Sequence, residues 1–102
     1  MVTIIFRMRL KEGKEEEGLA QLRKMADSVQ AQEPGALAYL CHRSQDDASE
    51  IVFFEMYADD EAFQAHAKTD HMGEMRAGFS ELFDLSQVKI ERLDQIAGFA
   101  RG

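Results

Sequence analysis

The chain has 102 residues, 45% of them apolar and 30% charged, with a single proline. That is enough for one domain with a genuine core, and it is not the composition of a disordered segment. Nineteen acidic against twelve basic residues give a net charge of -7, which repels phosphate backbones and anionic lipid and so argues against nucleic-acid and membrane partners. One cysteine, Cys41, excludes an internal disulfide, so a cytoplasmic protein is expected.

From Val2 to Leu10 apolar residues alternate at Val2, Ile4, Phe6, Met8 and Leu10, which predicts a strand with those side chains on one face. Arg7 and Arg9 lie on the other face, so the segment reads as a strand rather than as a leader peptide. Leu19, Leu22, Met25, Ala26 and Val29 then step by three and four, as on an amphipathic helix. Pro34 and Gly35 stop that helix near Glu33. Ala36 to Arg43 alternates again, the polar run from Ser44 to Ser49 makes a turn, and Ile51 to Tyr57 follows as a strand apolar on both faces except for Glu55.

Asp59 or Asp60 can cap a short helix starting at Glu61. A second helical piece, from about Asp70 to Phe83, carries Met72, Met75, Phe79, Leu82 and Phe83 on one stripe, with a break around Lys68 to Asp70. Val88, Ile90 and Arg92 or Leu93 mark a last strand. The tail from Asp94 to Gly102 has Ile96 and Phe99 as its large apolar residues. No apolar stretch approaches a membrane span.

The order β-α-β-β-α-β is a split βαβ arrangement, in which right-handed crossovers put both helical layers on one face of a four-stranded antiparallel sheet. The other face would stay bare although Val52, Phe54 and Met56 oppose Ile51, Phe53 and Tyr57 across the third strand. A homodimer closed sheet to sheet is the simplest cover, and the tail is a candidate for packing on the partner.

His66 follows Phe63 and Ala62 by three and four residues, so it points toward the sheet, either as a core histidine bonded to a backbone carbonyl or as an acid-base group. His71 would sit about 140° from it on a continuous helix, the wrong angle for a shared metal, although the break can bring the two to one cavity. His42 is expected at the solvent edge. Glu55 either pairs with Arg7 or Arg9 or acts as an acid-base group, and the ion pair is the simpler reading. Arg7 could instead hold an anionic oxygen. Tyr39, Phe53, Phe54, Tyr57 and Phe63 can line a flat pocket or simply form core. Cys41 reads as a small buried hydrophobe. Nucleotide, dinucleotide, zinc-protease and acyl-serine motifs are missing from the sequence.

The run Phe54-Glu55-Met56-Tyr57-Ala58-Asp59-Asp60-Glu61-Ala62-Phe63-Gln64-Ala65-His66, followed by Lys68-Thr69-Asp70-His71-Met72, resembles the signature segment of the antibiotic biosynthesis monooxygenase (ABM) domain. The Lys11 to Glu15 stretch, the Glu33 to Leu37 turn and the Arg43 to Asp46 loop are similar to that family too, and the likeness covers Val2 to about Arg92. It implies a ferredoxin-like dimeric α+β barrel. Ala65, His66, Thr69, His71 and Met72 are most similar to the quinol monooxygenase branch. Tyr57 stands where many members have tryptophan, and is shared with an isomerase branch acting on a phosphorylated sugar-like signal. Haem-degrading members have asparagine, tryptophan and histidine where this chain has Arg7, His66 and Arg76, so the resemblance argues against haem.

What the resemblance implies is a cofactor-independent monooxygenase, without flavin, haem or metal, acting with molecular oxygen on an electron-rich phenol or quinol. His66 is the expected base, Arg7 or His71 would steady the oxyanion, and Glu55 is a further acid-base candidate. Tyr39, Phe54, Tyr57 and Phe63 would line the substrate. The rival readings are the isomerase, which needs arginines such as Arg7, Arg43 or Arg76 clustered on a phosphate, and a non-catalytic binder of a small apolar metabolite.

Overall fold

The computed structural model describes residues 1–101; Gly102, the end of the expected tail, lies outside them. Four strands, β1 (Val2–Leu10), β2 (Ala36–Arg43), β3 (Glu50–Tyr57) and β4 (Phe83–Leu93), alternate with α1 (Glu15–Gln32), α2 (Asp60–Ala67) and α3 (Asp70–Leu82). All neighbouring strands are antiparallel in the order β2-β3-β1-β4, the ferredoxin-like arrangement expected.

Register decides which side chains meet. Ile4 is opposite Glu55, Phe6 opposite Phe53 and Met8 opposite Ile51, all on the face that the helices cover. There Met8, Ile51 and Phe53 pack with Leu22, Met25 and Val29 of α1, Met75 of α3 and Phe83. A smaller group of Val2, Ile4 and Tyr57 packs against Ala62 and Phe63 of α2. Ile5 and Phe54, paired with each other, and Thr3 and Met56 share the opposite face, to which no helix contributes.

Three sequence expectations are corrected. Phe83 belongs to β4 rather than to the helix before it: its backbone is extended and its buried ring reaches the same core from the strand, so no linker separates α3 from β4. The last strand therefore starts five residues before Val88, and its pairing with β1 shifts between Arg7 opposite Lys89 and Arg9 opposite Asp84. Cys41 is exposed, because β2 is a sheet edge whose second half, Leu40 to Arg43, lies open. Arg7 and Arg9 do not reach Glu55, since they leave β1 on the other face; Arg7 pairs with Glu50 and Glu91, and Arg9 with Asp47. No helix among the described residues is long and apolar enough to cross a membrane.

The break between α2 and α3 is built by two caps. The Asp59 carboxylate accepts the Ala62 amide at 2.8 Å and starts α2. Thr69 starts α3 by accepting the Met72 amide, while its hydroxyl donates to the His66 carbonyl at 2.8 Å and ties the two helices together. Gly35 lies against α2 so closely that a Cβ there would fall 2.7 Å from Cβ of Ala62. The α1–β2 turn therefore fixes the depth of the helix that carries His66.

Candidate active site

Between the sheet and the α2–α3 pair lies a cavity of about 180 Å3. Phe6 and Met8 of β1, Tyr39 of β2, Phe53 of β3, Phe63 of α2 and Met72, Met75 and Phe79 of α3 give it apolar walls, and Ile90 of β4 stands at its exposed side. The titratable groups on its walls are Glu55, His66 and Tyr39, and no arginine or lysine lines it. A wider depression of about 800 Å3 near Arg9, Lys11 and Asp84 is open to solvent, and none of its charged groups is buried. The apolar cavity with two acid-base groups is the better candidate.

Glu55 is buried and its Oε1 accepts the Tyr57 hydroxyl at 2.5 Å. Burial pushes the Glu55 carboxyl above its ordinary range; the Tyr57 hydrogen bond and the nearby His66 oppose this, and the Glu33 charge adds to it. Burial beside these acids also raises the phenols of Tyr39 and Tyr57, which keeps both protonated. The His66 ring is packed between those two phenols, with centroids 5.7 Å from Tyr39 and 5.3 Å from Tyr57.

The partner of His66 is Glu33, which in the sequence is marked only as a helix end. Glu33, the C-cap of α1, is half-buried with its side chain only 8% exposed, and its carboxylate sits between two imidazoles: His66 Nδ1 is 2.9 Å from Oε1, and His71 Nε2 is 2.5 Å from Oε2. The helix break thus does bring both histidines together, through a shared carboxylate rather than directly. A local signal for Glu33 was available, because a carboxylate at the negative end of a helix with no basic residue in its last turn is electrostatically misplaced unless something else holds it.

These three residues also offer ligand atoms within 4.8 Å of one another, a set that could be considered for a divalent ion. The separations of 2.5 and 2.9 Å are those of hydrogen bonds; ligands spread around an ion at 2.0–2.1 Å stand about 3.3 Å apart. The set fits shared protons better than a metal.

Of the residues singled out from sequence, Tyr39, Glu55, Phe63 and His66 line the cavity, Tyr57 stands behind Glu55, and His71 stands behind Glu33. Arg7 and Phe54 are not brought to it, since both lie on the uncovered face. Arg43 instead donates to the Ala48 carbonyl, and Arg76 is exposed.

An α+β sandwich with an apolar cavity and a buried carboxylate–imidazole group is the frame of a small-molecule enzyme or binder. The antibiotic biosynthesis monooxygenase family profile matches residues 1–78, and the chain belongs to that family. Solved structures agree in fold. PA3566 from Pseudomonas aeruginosa is 27% identical with a TM-score of 0.85, covering 94% of each chain. Rv0793 from Mycobacterium tuberculosis is 25% identical with a TM-score of 0.85, covering 97% of this chain and 98% of that one. A Caulobacter crescentus protein, provisionally assigned as an antibiotic biosynthesis monooxygenase, is 25% identical with a TM-score of 0.86, covering 94% and 90%. No curated protein matches the chain.

Proposed function

We propose that this protein is a cofactor-independent monooxygenase of a compact electron-rich phenol or quinol, with molecular oxygen as co-substrate. The observation that carries the reading is the cavity itself: apolar walls, about 180 Å3, and His66 and Glu55 as its acid-base groups. An engineered apolar cavity of about 150 Å3 accepts benzene, so this one suits a single substituted ring.

His66 takes the proton from the ring hydroxyl, and the resulting anion is electron-rich enough to reduce oxygen directly. One oxygen atom enters the ring and the other leaves as water, so a phenol becomes a quinone and a quinol a hydroxyquinone. The imidazolium formed at His66 stays beside the anion, and Glu55, whose proton affinity burial raises, can return a proton to the reduced oxygen. Dry walls keep bulk water from the intermediates. The isomerase alternative needs cations on a phosphate, and the absence of arginine and lysine from the cavity walls favours the quinol over it.

The test is oxygen uptake by purified protein against a panel of single-ring phenols and quinols, with a phosphosugar isomerisation assay beside it. Oxygen uptake with product hydroxylation is expected. Isomerisation without oxygen uptake would replace this reading with the other.

A further inference from the structure

We propose that Glu33 is the positioning residue that makes His66 a base: its carboxylate takes the Nδ1–H of His66 and so leaves the Nε2 lone pair for the proton of the substrate. This deepens the monooxygenase reading and rests on it. Three observations carry it. First, Glu33 Oε1 and Oε2 stand 2.9 and 3.0 Å from His66 Nδ1, whereas the cavity walls include His66 but not Glu33. The imidazole therefore spans from carboxylate to cavity. A neutral imidazole has one N–H, and an acceptor at Nδ1 decides where it sits.

Second, Glu33 is held on its far side by His71 Nε2 at 2.5 Å, and His71 Nδ1 is buried without a partner among the described residues. The contact of Nε2 with the carboxylate is therefore the ring's one polar anchor, and it fixes the carboxylate from behind. Third, the carboxylate charge lies at the C-terminus of α1, where the helix dipole disfavours it, so the two imidazole N–H groups are its compensation. The other titratable groups packed against His66 are Tyr39 from β2 and Glu55 and Tyr57 from β3.

Two measurements test this. In wild-type protein without substrate at neutral pH, imidazole nitrogen NMR shifts should show Nδ1 protonated and Nε2 unprotonated on His66, and Nε2 protonated on His71. The reverse tautomer on His66 overturns the proposal. With a quinol that the oxygen assay identifies, kcat and KM are then followed across pH for wild type, Glu33→Gln and Glu33→Asp. The near-isosteric amide offers one acceptor where the carboxylate offers two.

Glu33→Gln should therefore lose on the order of 100-fold in kcat, with KM within a few-fold and the acid limb of the kcat profile moved to lower pH. Glu33→Asp, which keeps the charge, should recover part of the rate. A purely structural Glu33 would lower thermal stability and leave the limb in place. Unchanged kcat and limb in Glu33→Gln overturn the proposal, as does a divalent ion at unit occupancy that turnover requires. If wild type consumes no oxygen with any substrate, the monooxygenase reading fails, and the nitrogen shifts still decide whether Glu33 sets the tautomer of His66.

Discussion

The hydroxyl of Tyr57 and the carboxylate of Glu55, two residues apart on one face of β3, meet at 2.5 Å with both side chains buried. Because burial outweighs this bond, the native state holds the Glu55 proton more tightly than the unfolded chain does. From the ordinary value of 4.5 up to the raised native value, folded protein binds more protons than unfolded, so stability falls as pH rises through that window. Glu55→Gln should remove this falling limb and raise stability at pH 7, with the gain shrinking toward pH 4. Denaturant melts at both pH values check it. An equal effect at both would mean that the carboxyl titrates normally in the native state.

His66→Gln keeps most of the side-chain size and some hydrogen bonding, but cannot relay a proton at neutral pH. A loss on the order of 100-fold or more in turnover is expected, with circular dichroism and oligomeric state unchanged. Turnover at the wild-type rate would make His66 a structural histidine and leave Glu55 as the base.

The uncovered sheet face carries Ile5, Val52, Phe54 and Met56, and Leu40, opposite Phe54 on the edge strand, is 53% exposed. A homodimer through that face is expected, with a mass of about 23 kDa, twice 11.6 kDa. Phe54→Lys puts a charge at the centre of the patch and should shift light scattering toward the single-chain mass. A wild-type mass near 12 kDa at micromolar concentration would refute the dimer.

Gly35→Ala drives a methyl group into Ala62, where the contact is with a carbon fixed to the helix backbone. A cost of about 1–3 kcal/mol is expected. Because α2 must move outward, turnover should fall as well, and thermal melts read beside oxygen uptake separate the two effects.

Alternation in β1 and the three-and-four stepping of α1 were legible because the residues each element sends into the core recur at its own period. His66 was legible for the same reason. Glu33 was legible only as a carboxylate misplaced at a helix end, since Pro34 and Gly35 account for that end without giving it a partner, and the partners lie 33 and 38 residues further on. Phe83 continued a helical stripe as well as it began a strand, and only the core it fills distinguishes the two. Arg7 and Phe54 were misplaced because a strand with apolar residues on both faces does not say which face receives the helices.

The link around Thr69 works as a phase adjuster. Each residue of helix turns the chain by about 100°, and the break lets His71 leave the angular position that an unbroken helix would give it five residues after His66. Adding or removing one residue there would swing His71 and the Met72–Met75 wall together, taking the clasp off Glu33 and reshaping the cavity in a single step. The length of that link is therefore as much a determinant of the chemistry as any side chain it separates.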